Sequence, residues 1–290
     1  MIFKIIKNKK ILFSLGSFLV SLVVFFLKYL AWKTTLSVAF YSDMLETTIN
    51  VLAAIFEIFA ITISTQPADK NHTYGHYKAE YISAAAEGLL VIVTSILIFY
   101  EAWQGWKNPQ FPMAPLKGII LNGTAGLVNL FWAITLIRVG KKYFSAVLIA
   151  GGQHVLSDVW TTIGLIVGLT LIPMFQWAAL DALMGFFIAI NILRIGFGII
   201  KNSINGLMDK APDPQTISSI YKIIQANAPE AKEFHMVRFR QVGNLIFIDF
   251  HLVVSGDMRV KEAHKICDRI EHALQKVIGN VSINIHVEPE

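Results

Sequence analysis

Two pairs of side chains in this sequence have the types and the spacing to bind a metal ion. Glu46 and Asn50 lie four residues apart in SDMLETTIN, and His154 and Asp158 lie four apart in GGQHVLSD. In a helix, residues four apart share a face. Two such helices facing one another offer two carboxylates, an imidazole and an amide oxygen. That four-ligand set suits zinc, iron, manganese or cobalt. The competing reading is a buried polar cluster that holds two helices together, as polar pairs do between membrane helices. Two pairs with complementary ligand types favour the metal.

Both pairs sit inside long apolar runs, where an ionisable residue is costly and marks a functional position by default. Of the 290 residues, 54% are hydrophobic and only 16% charged. The mean hydropathy of +0.56 is that of a membrane protein. Such apolar content excludes disorder, and the single cysteine, Cys267, excludes a disulfide scaffold. Six runs are long enough to span a bilayer, at roughly 11–32, 36–64, 81–103, 115–138, 144–171 and 178–203. The first is too long, and lacks the cleavage site, for a secretory signal, so it reads as a retained span. Basic residues cluster before the first span (Lys4, Lys7, Lys9, Lys10) and between the second and third (Lys70, Lys78). They recur between the fourth and fifth (Arg138, Lys141, Lys142) and after the sixth (Lys201, Lys210). That asymmetry places both termini in the cytoplasm. It also explains the net charge of +5 without nucleic acid.

Beyond the spans the sequence reads as a soluble domain, giving a division into 1–208, a six-helix transmembrane domain, and 209–290. PQTISSIYKIIQANA has helical spacing after the APDP linker. EFHMVRFRQV and NLIFIDFHLVV alternate around Gly243-Asn244 and predict a hairpin. VKEAHKICDRIEHALQKVIG predicts an amphipathic helix, and VSINIHVEP a last strand. The order α-β-β-α-β defines a two-layer α+β domain of ferredoxin-like type. It holds five of the eight histidines, and His286 and Glu288 point to one side of the last strand.

The loop QPADKNHTYGHYKAE, residues 66–80, resembles the loop after the second span of the cation diffusion facilitators, close to their bacterial zinc/iron-efflux branch. Six spans, a polar quartet on spans two and five and an α+β tail accompany it, so the resemblance covers nearly the whole chain. It implies a homodimeric, multi-pass transporter of a bacterial inner membrane. The transporter would exchange a divalent metal (zinc, iron, manganese or cobalt) for protons and would use no organic cofactor. Glu46, Asn50, His154 and Asp158 would form the transport site. Asp69, His72 and His76 match a loop-borne metal site. His235, His251, His264, His286 and Glu288 match a cytosolic cluster at the dimer interface, where metal would act as a regulator. Lys78 and Asp209 match positions that form salt bridges holding the family's dimer together.

The sequence departs from that pattern in span two, where the family usually carries Asp or His and then Asp. With Glu46 and Asn50 the site has one formal negative charge fewer. Glu57 lies seven residues beyond Asn50, nearly on the same helical face and about 10 Å along the axis. That is too far to bind the same ion, and its expected role is an entry ligand or a proton relay. Asp43 and Glu80 read as structural, and Glu87 as a residue lining the pathway. Two other functions compete: a membrane metal sensor that no longer transports, with Asn50 as the lesion, and a membrane metalloenzyme. The second lacks any nucleophile motif, so no enzymatic activity is expected, and the absence of a P-loop pattern argues against a nucleotide-driven pump.

Overall fold

The computed structural model describes residues 9–35, 38–108, 116–175 and 179–290. Lys4 and Lys7 of the sequence reading lie outside them. The chain divides into two compact units, Met1–Ile204 and Asn205–Glu290. The first is built from six long helices: α1 (Lys9–Thr35), α2 (Val38–Ser64), α3 (Ala79–Lys107), α4 (Leu116–Tyr143), α5 (Ala146–Phe175) and α6 (Ala179–Leu207). Among the described residues, five of them have the length and composition to cross a membrane. The remaining helix, α5, is 30 residues long and carries His154 and Asp158.

These helices are apolar outside and polar inside. Phe56, Phe59, Phe131 and Phe187 are all more than 60% exposed, as side chains meeting lipid tails would be. The inner face of α1 reads Ser14, Ser17, Ser21, Val24, Lys28 and Ala31, all buried, at alternating intervals of three and four. Small residues on such a stripe let helix backbones approach, since lipid gives no hydrophobic drive for helix association. The inner stripe of α2 runs Asp43, Thr47, Asn50, Ala54, Glu57, Ile61 and Ser64. It therefore lines up Asn50 and Glu57 as their spacing requires. Helix α5 packs against α2, α3 and α4. Its contact with α4 is close enough that a Cβ at Gly152 would lie 3.0 Å from the Ile137 amide nitrogen.

The second unit has the element order that the sequence predicts: α7 (Pro214–Asn227), β1 (Glu233–Val242), β2 (Leu245–Val254), α8 (Val260–Ile278) and β3 (Val281–Pro289). Asp213 caps α7 by accepting hydrogen bonds from the amides of Gln215 and Thr216, both at 3.0 Å. Strands β1 and β2 pair antiparallel through a turn in which Gly243 takes a φ of +62°. Strand β3 pairs parallel with β2, which leaves β2 central. The core is Ile220 and Ile224 of α7, Ile248, Phe250 and Leu252 of β2, and Ile266, Ile270 and Leu274 of α8. Simple alternation fails at one place. The register shifts between His235 and Arg238, where Met236 has a φ of +52°. This bulge puts two residues of β1 opposite one of β2. Phe234 and Phe239, five apart, thereby both pack on the core, and His235 is left facing outward.

Candidate metal centres

Within the helical unit, Asn50 donates a hydrogen bond from Nδ2 to Asp158 Oδ2, joining α2 to α5 directly. Asn50, His154 and Asp158 are at most 6% exposed. Each member of the quartet also keeps one buried polar atom with no hydrogen-bond partner: Glu46 Oε1, Asn50 Oδ1, His154 Nε2 and Asp158 Oδ1. Buried polar atoms are nearly always satisfied. The four residues picked out by spacing are among these exceptions, together with Asp43, Glu57, Glu87, Asn122 and Asn129 of the same helical unit. All four atoms of the quartet are metal-ligand types.

Next to the quartet is a feature that the sequence reading missed. Lys28 of α1 is fully enclosed and donates a 2.8 Å hydrogen bond to Asp43 Oδ1, with side-chain exposures of 1% and 5%. It also lies within electrostatic reach of Asp158 and Glu46. The signal was present, because Lys28 is the single charge in the run from Ile11 to Trp32, and an ionised residue within a span needs a partner. Asp43 is that partner. Glu80, at the start of α3, is also held: it accepts from Lys10 Nζ at 2.9 Å, Ser64 Oγ at 3.1 Å and Ser145 Oγ at 2.5 Å.

The loop between α2 and α3 brings Asp69, His72 and His76 together, with one ligand atom from each within 4.8 Å of the others. Asp69 Oδ1 accepts from the amides of Asn71 at 2.8 Å and His72 at 2.7 Å. The two rings are 4.5 Å apart between centroids. The turn is completed by Gly75 at a φ of +85°. The amide of His72 above all, then that of Asn71 and the adjacent imidazoles, hold the Asp69 carboxyl below its ordinary value. Lys78 immediately precedes α3.

In the second unit the three strands place their histidines in one row. His235 is opposite His251 across the antiparallel pair, and His251 is beside His286 across the parallel one. Glu288 reaches back over the row. Its Oε1 is 2.6 Å from His251 Nδ1 and 3.6 Å from His286 Nε2, and its Oε2 is 3.4 Å from His235 Nε2. His235, His251 and Glu288 converge within 4.8 Å, with His286 at the border of the group. His264 is not brought to them within the chain: on α8, its Nε2 faces Asp268 Oδ1 at 3.6 Å. Asp209 has a φ of +58°, and its Oδ2 lies 3.9 Å from Arg240 Nη1.

A bundle of apolar helices with metal-ligand types buried in its interior, joined to a small α+β domain bearing a histidine row, is an integral membrane protein of metal-transporter design. Comparison with known proteins agrees over both units. Residues 14–208 match the family model described as the cation efflux transmembrane domain, and residues 212–290 match that of the cation efflux protein cytoplasmic domain. The chain belongs to the cation efflux family, the cation diffusion facilitators, whose members are transporters rather than enzymes. It is 34% identical over 263 residues to an "uncharacterized transporter" of Synechocystis sp., covering 91% of this chain and 85% of that one. It is 28% identical to the cation-efflux pump FieF of Shewanella oneidensis, covering 95% and 93%. It is also 28% identical to the manganese efflux system protein MneP of Bacillus subtilis, covering 87% of each.

Proposed function

We propose that the protein exports a divalent transition-metal ion in exchange for protons. It would work by alternating access, as a homodimer in a bacterial inner membrane with both termini cytoplasmic. The observation that supports this most directly is the set of unpartnered ligand atoms on Glu46, Asn50, His154 and Asp158, enclosed among apolar helices. Zinc and iron fit an imidazole with two carboxylates, and manganese and cobalt remain open by ligand type. Metal entering from the cytoplasm displaces the Asn50 amide from Asp158 and is held by the quartet. Ligands must be deprotonated to bind metal, so protons arriving from the other side weaken the site and drive release. His154, Glu46 and Asp158 are the groups able to take those protons; Asn50 is not.

Metal flux in reconstituted vesicles, followed together with lumenal pH, tests this reading. Uptake of zinc, iron, manganese or cobalt accompanied by proton movement the other way is expected. No flux from a protein whose tail still binds metal would make it a sensor instead.

The departure at Asn50 gives a sharper expectation. An Asn50→Asp variant restores a third carboxylate to the site, and its metal affinity should rise by about tenfold or more, about the scale of a single metal-site interaction. Metal preference and the pH profile of flux should shift with it. Affinity, selectivity and pH profile all unchanged in a folded variant would remove Asn50 from the site.

For the tail, the histidine row and Glu288 support a regulatory metal that tightens the dimer. The fragment 209–290 should bind zinc, iron, manganese or cobalt in calorimetry and become more compact or more stable as a dimer. Within the dimer, His264 would complete the ligand set, and Lys78 and Asp209 would contribute salt bridges near the membrane face. Calorimetry showing no binding of any of the four ions would end the cluster reading. The loop triad of Asp69, His72 and His76 is proposed as a further, exposed metal site.

A further inference from the structure

Six carboxylates belong to the quartet or are buried in the helical unit among the described residues: Asp43, Glu46, Glu57, Glu80, Glu87 and Asp158. Lysines and hydroxyls account for two of them, since Lys28 holds Asp43 and Lys10 holds Glu80 with two serines. The quartet uses Glu46 and Asp158. Glu57 of α2 and Glu87 of α3 are left, each 2% exposed. Oε1 of Glu57 and both carboxylate oxygens of Glu87 lack hydrogen-bond partners. The contrast on α3 is direct, because Glu80 and Glu87 share a face two turns apart and only Glu80 has its donors.

Glu57 and Glu87 converge. A Cβ added to Gly151 of α5 would lie 3.0 Å from Glu57 Oε2 and 3.7 Å from Glu87 Oε2. The helix thus presents bare backbone where any side chain would fill the space between helix and carboxylates. The cavity lined by Glu57, Glu87 and Gly151 also takes in Ser17, Asn50 and His154. His154 is 3% exposed, and its Nε2 is unpartnered. It is a neutral metal-ligand type that bears on the same cavity from a third helix.

Two anionic carboxylates enclosed together, Glu57 with only the hydroxyls of Ser14 and Ser17 near it and Glu87 with no hydrogen-bond donor among the described residues, repel one another unless a cation or protons intervene. We infer that Glu57 and Glu87 form a second intramembrane binding site for a divalent cation, about 10 Å along α2 from Asn50. His154 borders both sites. The charges match, as two carboxylates neutralise one divalent ion at each site. The donors at Glu57 and Glu87 are all oxygen, which favours manganese(II) or iron(II) over a softer ion. An ion held there lies one step from the quartet, and His154 can pass it on by exchanging neighbours. The inference deepens the transport reading, but its test is separable from it.

The test uses the full chain in lipid nanodiscs with manganese(II) as the probe. Bound ion is counted from the loss of the paramagnetic signal of free hydrated manganese(II). A folded Glu57→Gln/Glu87→Gln variant should bind one manganese(II) fewer per chain than the wild type, and its flux should fall by about tenfold or more. A second measurement needs no variant. A hydrophobic carbodiimide should label Glu57 and Glu87 in the metal-free wild type, and manganese(II) should suppress that labelling. The same protection should persist in Asp158→Asn, whose quartet is disabled. An unchanged count in the folded double variant, or full labelling of both glutamates at saturating manganese(II), overturns the second site. Normal flux in Asp158→Asn with protection intact would instead overturn the quartet and leave the second site standing.

Discussion

Replacing Asp158 or His154 with Ala is expected to reduce metal flux in reconstituted vesicles to background, a loss of at least about 100-fold. Even outer-shell partners of a metal cost up to that much, and these two residues are proposed as direct ligands. The protein should remain folded. Asp158 makes one interhelical hydrogen bond, to Asn50, and removing a buried carboxylate that is only half satisfied removes its desolvation cost as well. His154 has no hydrogen-bond partner on Nε2 to lose. The measurement is flux and size-exclusion profile side by side, for each variant. Normal flux in both variants would mean that the quartet is the packing cluster that its spacing also allows.

The second large effect is on stability and involves no proposed ligand. Lys28→Met leaves Asp43 buried without its partner, beside Glu46 and Asp158. Breaking a buried pair from one side costs about 3–5 kcal/mol, whereas replacing both members by neutral groups is often close to neutral. Lys28→Met should therefore lower the unfolding midpoint in detergent substantially, and Lys28→Met/Asp43→Asn should recover most of the loss. If the double variant is no better than the single one, Lys28 acts through something other than its bond to Asp43.

These two cases mark the boundary of what the sequence discloses. Glu46, Asn50, His154 and Asp158 could be picked out as candidates, and the Asn50–Asp158 contact between α2 and α5 anticipated, because helical periodicity converts a spacing of four into a shared face and polar residues inside apolar runs are rare enough to stand out. The α+β order of the tail is legible for a similar reason, since alternation and helical spacing differ clearly there. Pairings between elements far apart in the chain are not legible in that way. Nothing local to α1 says that Lys28 meets Asp43, and nothing local to α3 says that Glu87 lacks the donors that Glu80 has. The bulge at Met236 was also hidden, although Phe234 and Phe239 carry its trace: two core aromatics five apart cannot share one face of a regular strand. His264 shows the reverse limit. A family pattern groups it with the histidine row, and within one chain it stands on α8 beside Asp268.

The amide of Asn50 has an electrical consequence. With a neutral residue at that position, the only fixed charges the quartet itself contributes are those of Glu46 and Asp158. In the proposed exchange a divalent ion would bring that pair to zero, and one proton on each carboxylate, with His154 neutral, would do the same on the return leg. Neither leg would then carry net charge through the bilayer, where each elementary charge moved would exchange about 2.3 kcal/mol per 100 mV with the membrane potential. A third carboxylate at residue 50 would leave one leg charged unless a further proton compensated it. In the proposed exchange, a return leg with His154 neutral would let Asn50 make the concentration gradients of metal and proton the whole of the driving force, and a third proton on His154 would bring the membrane potential back in.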